Sequence, residues 1–433
     1  MTEATISAST PAIPATPLAA LLESAAAPHE LTAYRGALTL RELDAPEVET
    51  AALVSGAAIH DLGWLRRVAV RGEDRFRWLS GMVTNTVNDL FPNTGAWNLV
   101  LNAQGRIQGD LTVWREGEEL SAHRRKTAAT APGNGDRGVD RLLGTPFAGE
   151  SGLDLEIAAD QYDRLMAHLN RFIIMDDVEL VPLDGESPGG IGSETAVGLA
   201  GPRADEVLGR LGLPVFAHPM RGTCVEWNGL DLRILRGYGV LAPHYEIWTP
   251  AAGLKKLWNA LRTAGATLVG AASLEAFRIA EGIPAYGIDI AERDLPQETS
   301  QMRALNFNKG CYLGQEIVER IHSRGSVHRR LRQLEMTGPV PAAGAKLTMA
   351  DGAAVGEITS AAELPLAAAN RIFALGMIRD KAELLPQRRG PVAGDLEPHN
   401  QPLTYTVGTA TGSARILAAP PILNPESIGN LEP

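Results

Sequence analysis

The spacing of apolar positions changes along the chain, and each spacing predicts one kind of element. From residue 161 to residue 173, apolar side chains recur at intervals of three and four, which indicates an amphipathic helix. Segments 96–101 and 106–114 are strand-like, and aliphatic residues and glycine occupy alternate positions of the second one. Asn228-Gly229 interrupts the strand-like stretch 223–235 and predicts a tight hairpin. Helices and antiparallel strands therefore mix along the chain, which indicates an α+β fold.

Residues 331–420 change to short apolar runs without helical spacing. The predicted strands there are 346–350, 353–360, 371–379 and 403–407. Asp351-Gly352 separates the first two and predicts another hairpin. Several short strands joined by tight turns are typical of a small antiparallel β-barrel, so we expect the folded chain to end in one.

Three segments are predicted to lie outside the folded domains. Residues 1–30 are rich in Ala, Thr, Ser and Pro, which indicates a disordered tail with at most a short helix near residues 18–26. This segment lacks the features of a secretory signal and the arginines of a transit peptide. Residues 121–152 are rich in glycine and carry a basic cluster, which is more typical of a solvated loop than of a nucleic-acid site. Residues 421–433 form a Pro-rich tail.

Length and composition exclude several classes of protein. The chain of 433 residues is long enough for two or three domains. Its net charge of −11 argues against direct DNA binding over a large surface. No apolar run reaches the roughly 18 residues of a membrane span. Two cysteines exclude a disulfide framework, fit a reducing compartment such as the cytoplasm, and cannot alone supply a four-thiolate cluster site.

Asp110 is a candidate functional carboxylate on the second strand of the first hairpin. Alternation along the strand places it with Gln108, Thr112 and Trp114, away from the aliphatic face. On this pattern alone, a solvent-facing carboxylate is the ordinary interpretation.

Cys311 is flanked by Lys309-Gly310 and Tyr312, and a dense basic run follows it. A nearby ammonium favours the thiolate, which is the form that attacks electrophiles and binds metals. A buried cysteine in a glycine-containing turn is the ordinary alternative. The residues leave open whether Cys311 attacks, ligates or packs.

The string Lys309-Gly310-Cys311-Tyr312-x-Gly314-Gln315-Glu316, followed by Arg320 and Arg324, resembles the signature of the YgfZ-type folate-binding proteins. These proteins are relatives of the T-protein, the aminomethyltransferase of glycine cleavage, and they support iron–sulfur enzymes. The resemblance covers residues 57–120 and 155–418.

The resemblance implies three domains around a central channel that receives tetrahydrofolate, ending in a small antiparallel β-barrel. It divides the chain into a folate-binding region of two intertwined α+β domains at 31–300, a Cys-motif segment at 301–330 and a barrel at 331–420. Residues 121–152 would be an insertion in the first region.

The resemblance also implies roles for individual residues. T-proteins carry an Asp-Asp pair where this chain has Gly109-Asp110, and a Gly-Glu-x-Gly-x-Glu-Ile string of which Glu246 survives while Ala242 replaces the first Glu. The implied working residues are Cys311, Lys309 and Asp110. The implied folate-binding residues are Asp110, Glu246, Arg278, Tyr286, Gly310, Tyr312, Gly314, Gln315, Glu316, Arg320 and Arg324.

Three functions are compatible with these residues. The favoured one is a tetrahydrofolate-dependent accessory factor for assembling or repairing iron–sulfur clusters in client enzymes, including tRNA-modifying enzymes. It would act with cluster-assembly proteins and hold no metal stably. The alternatives are a true aminomethyltransferase, and a folate-binding protein that acts only by contact. The missing carboxylate at Gly109 and the missing Glu at Ala242 argue against the aminomethyltransferase.

Overall fold

The structure is a computed structural model, and it describes residues 13–23, 30–117, 152–183, 194–325, 327–379 and 403–423. The described helices, α1 to α8, are Pro17–Glu23, Pro46–Ser55, Arg75–Met82, Ala159–Asn170, Ala204–Arg210, Leu254–Thr263, Ala271–Glu281 and Gln315–Arg324. The described strands, β1 to β19, are Leu31–Tyr34, Ala37–Leu40, Ala58–Asp61, Leu65–Arg71, Thr94–Leu101, Ile107–Arg115, Leu153–Ala158, Glu179–Pro182, Glu194–Ala200, Arg221–Trp227, Leu230–Arg236, His244–Pro250, Thr267–Leu268, Arg329–Thr337, Lys346–Thr348, Ala354–Leu364, Arg371–Arg379, Leu403–Val407 and Ala410–Ile416. The mixture of helices and mainly antiparallel strands confirms the α+β prediction.

The largest sheet consists of two half-sheets joined at one point. The order of its described strands is β13-β3-β9-β12-β11-β10 in one half and β5-β6-β7-β4-β8 in the other. A single residue pair, Arg221 with Thr94, connects β10 to β5. Because this junction is so narrow, the two halves can turn toward each other.

Side chains from both half-sheets meet in the space between them. Asp154 on β7 accepts hydrogen bonds from Arg67 on β4, at 2.7 Å, and from Arg233 on β11, at 2.5 Å. The Arg67 guanidinium lies 5.1 Å from the ring centre of Trp248 on β12. These contacts hold the halves face to face, and the pocket described below opens between them.

Amphipathic helices cover the opposite faces of the half-sheets. Leu257, Trp258 and Leu261 of α6 are fully buried against one half, as their helical spacing predicts. Leu165 and Leu169 of α4 are fully buried against the other half. The amphipathic helix predicted at 161–173 is therefore confirmed, although it begins and ends slightly earlier.

The predicted barrel is also confirmed. The described strands β14-β17-β16-β15-β18-β19 close into an antiparallel barrel in that order. Its first strand, Arg329–Thr337, and its last strand, Ala410–Ile416, were not predicted. The barrel packs on α7 through an apolar cluster that includes Phe373, Leu375 and Ile279.

The predicted disordered tail was wrong for residues 13–23. Helix α1 occupies Pro17–Glu23, and both Leu18 and Ala19 are completely buried. The Thr16 hydroxyl donates a hydrogen bond to buried Asp61. The composition of this segment is that of a tail, but the burial of Leu18 and Ala19, the Thr16–Asp61 hydrogen bond and two backbone hydrogen bonds to Leu38 hold it on the folded domain. The predicted loop 121–152 lies outside the described residues apart from residue 152.

Candidate functional site

A pocket of about 220 Å³ lies between the two half-sheets. Strands β6 and β7 supply one wall, and β3 and β12 supply the other. Its polar lining includes Asp110, Glu156, Gln161, His244 and Glu246. Its volume is below the roughly 300–1,000 Å³ of whole-ligand pockets, so it suits a single ring system.

Asp110 is held in this pocket by two donors. Gln161 Nε2 donates to Asp110 Oδ1 at 2.9 Å, and Trp97 Nε1 donates to Asp110 Oδ2 at 2.8 Å. Gln161 Oε1 also accepts the Asp110 backbone N–H at 3.1 Å. The carboxylate direction is therefore fixed before any ligand arrives.

Gly109 faces helix α4 rather than the pocket. A Cβ atom at residue 109 would lie 2.7 Å from Gln161 Oε1 and 2.8 Å from a methyl carbon of Leu165. The missing side chain gives Gln161 the room it needs to hold Asp110. A carboxylate side chain at residue 109 would therefore clash with helix α4 and would not point into the pocket.

Glu156 and Glu246 face each other across the pocket. Trp114 Nε1 donates to Glu156 Oε2 at 2.6 Å, and Trp248 Nε1 donates to Glu246 Oε2 at 3.4 Å. Burial, and then the neighbouring Glu156 carboxylate, raise the pKa of Glu246 well above its ordinary value.

Two histidines form another part of the lining. His60 is buried directly opposite Gly198 in the β3–β9 pair, and burial lowers its pKa to about 3, so the ring is neutral. A Cβ atom on Gly198 would lie 2.0 Å from the His60 ring. His244 Nε2 lies 3.1 Å from Glu281 Oε2; burial opposes protonation, but this carboxylate raises the pKa of His244.

Aromatic and basic side chains complete the pocket and its rim. Trp64, Trp97 and Tyr238 offer flat surfaces. The Arg303 guanidinium lies 3.7 Å from the Tyr238 ring centre and 4.9 Å from that of Trp97. Arg35, at the turn between β1 and β2, also lines the pocket, with its side chain 11% exposed.

Lys309 fastens the cysteine loop to the end of helix α3. Its Nζ donates to the carbonyl oxygens of Ser80, Val83 and Asn85 at 2.8, 2.6 and 2.7 Å. An ammonium has three N–H donors, so all of them are used by these carbonyls. Burial lowers the pKa of Lys309 to about 8. Cys311, two residues later, is exposed and is not among the residues that line the pocket.

Comparison with known proteins agrees with this architecture. The chain matches the crystal structure of glycine cleavage system aminomethyltransferase T from Bartonella henselae with a TM-score of 0.73 and 18% identity, over 95% of this chain and 99% of that one. This likeness shows the fold. No protein-family model matches the chain.

Proteins of known description with similar sequences indicate the superfamily of the chain. The chain is 22% identical over 309 residues (71% of this chain, 62% of the relative) to a protein of Arabidopsis thaliana described as a chloroplastic transferase. It is 24% identical over 327 residues (73% and 78%) to an aminomethyltransferase of Geobacillus kaustophilus. It is 24% identical over 274 residues (61% and 51%) to the mitochondrial iron-sulfur cluster assembly factor IBA57 homolog of Neurospora crassa. The chain belongs to the T-protein superfamily, and its relatives include both aminomethyltransferases and iron-sulfur cluster assembly factors of the IBA57 type.

The match spans less than two thirds of the Arabidopsis and Neurospora proteins. Within this T-protein-superfamily chain, the structure brings Asp110 and Glu246 into one pocket and places the cysteine motif elsewhere.

Arg278, implied as a folate contact, lies outside the pocket lining of this T-protein relative. Its Nη1 is 2.7 Å from Asp289 Oδ2 and its Nη2 is 2.5 Å from Glu275 Oε1. Burial opposes the charge, but these pairs raise the pKa of Arg278 above its ordinary value. Tyr286 also lies outside the lining, and its hydroxyl accepts a hydrogen bond from Arg164 at 2.5 Å.

The other residues of the YgfZ-type motif shape its loop. Gly314 has φ of +81°, and a Cβ atom there would lie 2.5 Å from the Asn102 carbonyl oxygen, so glycine is required before helix α8. Gln315 Oε1 accepts the N–H of buried Tyr312 at 3.3 Å. Gly310, Glu316 and Arg320 are exposed, and Arg324 ends α8.

Several pocket residues of this T-protein-superfamily chain were missed by sequence reasoning. Gln161 had a detectable signal, because it lies four residues before Leu165 on the apolar face of the predicted helix. Glu156, His60 and His244 gave no such signal. Among the described residues, no three His, Cys, Asp or Glu side chains are grouped as a metal site requires. None of the described helices combines the length and apolar character needed to cross a membrane.

Proposed function

We propose that the chain is a tetrahydrofolate-binding accessory protein for the assembly or repair of iron–sulfur clusters, with Cys311 as its working residue. The observation that carries this proposal is the exposed Cys311 on a loop fastened by Lys309, apart from the pocket. Similarity to a relative named as an iron-sulfur cluster assembly factor supports it.

The pocket residues fit the pterin head of a folate. The amide and amino groups of a pterin present N–H donors side by side, which a carboxylate such as Asp110 or Glu246 can accept. Trp64, Trp97 and Tyr238 can cover the flat rings. The small volume suits this ring system, and the rest of the ligand would extend past the rim. A bound reduced folate supplies a nitrogen that carries one-carbon units.

Arg303 and Arg35 replace Arg278 as our candidates for the acidic tail of the ligand. Both are close to the pocket, whereas the Arg278 guanidinium is already paired with Asp289 and Glu275. We keep the motif residues Gly310, Tyr312, Gly314 and Gln315 as the frame that presents Cys311.

Cys311 would act on partners in this proposal. One cysteine cannot hold a stable cluster, so Cys311 would attack or ligate transiently while a client enzyme or an assembly protein supplies the remaining ligands. We include tRNA-modifying iron–sulfur enzymes among the clients. Two free cysteines favour a reducing compartment, for which we propose the cytoplasm.

The aminomethyltransferase is the second candidate, and similarity to the Geobacillus kaustophilus enzyme favours it. Against it, residue 109 has no carboxylate and faces helix α4, so a single Asp110 would have to do the work of a pair. Transfer of an aminomethyl group depends on catalytic side chains that are held in the correct orientation toward the substrate.

Complementation tests the proposal. A strain that lacks the gene should lose the activity of several iron–sulfur enzymes while glycine cleavage continues. Cys311→Ser should fail to restore these enzymes and should melt within about a degree of the wild type, since an exposed thiol leaves no cavity. Cys224→Ser is the matched control and should complement. Loss of glycine cleavage alone would favour the aminomethyltransferase, and full complementation by Cys311→Ser would remove Cys311 from the mechanism.

A further inference from the structure

Arg303, at the rim of the pocket, and Cys311 belong to one short segment, residues 303–313, which leads into helix α8. The Arg303 guanidinium contacts two pocket rings, 3.7 Å from the centre of Tyr238 and 4.9 Å from that of Trp97. Its Nε is buried and has no hydrogen-bond partner among the described residues. The segment therefore carries an unsatisfied donor at the pocket and an exposed thiol near its other end.

A row of hydrogen bonds fastens this segment to residues 80–85. The N–H of Asn306 donates to the carbonyl oxygen of Thr84 at 3.0 Å. The N–H of Leu313 donates to the carbonyl oxygen of Gly81 at 2.9 Å. The three lysine contacts described above lie between these two bonds. The segment is thus held along its length by partners more than 200 residues away in the sequence.

Asn85 joins this row to the wall of the pocket. Its side-chain amide donates to the carbonyl oxygens of Arg303 at 2.7 Å and Trp97 at 3.0 Å, so both amide N–H groups are used. Its own carbonyl oxygen accepts the Lys309 ammonium at 2.7 Å. Trp97 in turn donates its indole N–H to Asp110. One asparagine therefore holds the rim arginine, the pocket wall and the anchor of the cysteine loop in a fixed relation.

Local opening of the 303–313 segment moves the rim and the cysteine together. The N–H groups of Asn306 and Leu313 are freed when the segment lifts from residues 80–85, because both bonds run between the two segments. Native proteins open locally in this way at a lower free energy than global unfolding requires. Lifting also withdraws Arg303 from the pocket, since its carbonyl oxygen is held by Asn85 in the closed arrangement.

We propose that Asn85 is the positioning residue through which a ligand in the pocket restrains the cysteine loop. A carboxylate of the ligand accepts the unpartnered Nε–H of Arg303, and the segment then lifts only by giving up this contact. The chemical class of the ligand is a flat heterocycle joined to a carboxylate. This inference rests on the proposed folate pocket and adds how its occupancy reaches Cys311.

The size of the coupling follows from the contact that is lost. Removing one charged hydrogen bond weakens binding roughly 10- to 150-fold. Coupling between two sites is reciprocal, so bound ligand should suppress opening of the segment by the same factor.

Hydrogen exchange resolved to single residues by mass spectrometry tests the coupling, with 5-formyltetrahydrofolate as the ligand. Calorimetry first gives its affinity, and exchange is then compared without ligand and at saturation. In the wild type, saturation should slow exchange of the Asn306 and Leu313 amides roughly 10- to 150-fold, while the amides of strand β19 should not respond.

Asn85→Asp should abolish this response, because a carboxylate oxygen replaces the donor that faces two carbonyl oxygens. Without ligand, the variant should already exchange faster at Asn306 and Leu313. Asn259→Asp, the same change at an exposed position of helix α6, is the matched control and should behave as the wild type.

Arg303→Met keeps the inference testable if Asn85→Asp fails to fold. Its two reporter amides should exchange faster without ligand and should no longer respond to bound ligand. Folate binding that leaves both amides unchanged in the wild type would overturn the coupling, and so would an undiminished response in Arg303→Met.

Absence of any folate binding would instead refute the proposed function. The ligand-free comparison of Asn85→Asp with Asn259→Asp would then decide the structural part of the inference. Equal exchange of the reporter amides in these two variants would show that Asn85 does not hold the segment.

Discussion

Arg278 and Asp289 form a buried ion pair, with Nη1 and Oδ2 2.7 Å apart and the aspartate side chain completely inaccessible. The other oxygen of Asp289 accepts hydrogen bonds from Thr359 and Ser360 of barrel strand β16, both at 2.6 Å. Helix α7 is thereby connected to the barrel through one carboxylate. The pair fastens two parts of the fold to each other.

Arg278→Met should therefore destabilise the protein more than it weakens folate binding. Removing the guanidinium leaves Asp289 buried without its charge partner, which costs about 3–5 kcal/mol. Denaturant unfolding measures the loss. Arg203→Met, at an exposed ion pair with Glu206, is the control and should change stability by no more than about 0.5 kcal/mol. If the variant keeps its stability but binds folate much more weakly, Arg278 contacts the ligand after all.

Lys309→Met should loosen the cysteine loop. Three carbonyl oxygens lose their shared donor, and we expect unfolding to become easier by about 2–4 kcal/mol, because charged hydrogen bonds and desolvated acceptors both contribute. Hydrogen exchange should also quicken between residues 309 and 313. Exposed Lys255 on α6 offers the control substitution Lys255→Met. Equal stability of the two variants would mean that the three contacts do not hold the loop.

The N-terminal segment should contribute to stability. Leu18 is completely buried, so Leu18→Ala should cost about 2–5 kcal/mol through lost burial and the cavity left behind. Thermal unfolding detects a loss of this size. Glu23→Ala, at an exposed position of the same helix, should leave the transition in place. If Leu18→Ala leaves the thermal unfolding temperature unchanged, the segment is not packed on the domain in solution.

The two cysteines should differ strongly toward iodoacetamide. Cys224 lies half-buried in β10, and burial raises the pKa of its thiol to about 12. At pH 8 only about one part in ten thousand of that thiol is ionised. The labelling rate of Cys224 should rise about tenfold per pH unit toward its pKa. Exposed Cys311 should be labelled first, so Cys311→Ser should abolish the fast phase and Cys224→Ser should keep it.

Asp110→Asn should weaken binding of a reduced folate without unfolding the protein. Loss of a charged acceptor costs about 1.5–3 kcal/mol, which is roughly 10- to 150-fold in affinity. Calorimetry measures this change, and Asp163→Asn on the exposed side of helix α4 is the matched control. Equal affinities for these two variants would place the ligand away from Asp110.

Local chemistry made part of this structure predictable from the sequence. Asn228-Gly229 selects its hairpin, and alternation on β6 places Asp110 apart from Ile107 and Leu111, because both effects act between near neighbours. The meeting of Glu156 with Glu246 depends on how two half-sheets turn about one residue pair. The Lys309 contacts join segments more than 220 residues apart in the sequence. The periodicities of helices and strands relate only near neighbours, so they could not predict these contacts.

The pairing of His60 with Gly198 constrains the order in which this chain can change. Because the imidazole fills the space of a side chain at residue 198, any larger residue there is tolerated only after position 60 has become smaller. The opposite order passes through a protein with two groups in one space. In evolution and in directed mutagenesis alike, the substitution at residue 60 must therefore precede the one at residue 198. When residue 198 alone is varied in a library, the folded variants selected from it should carry glycine at that position.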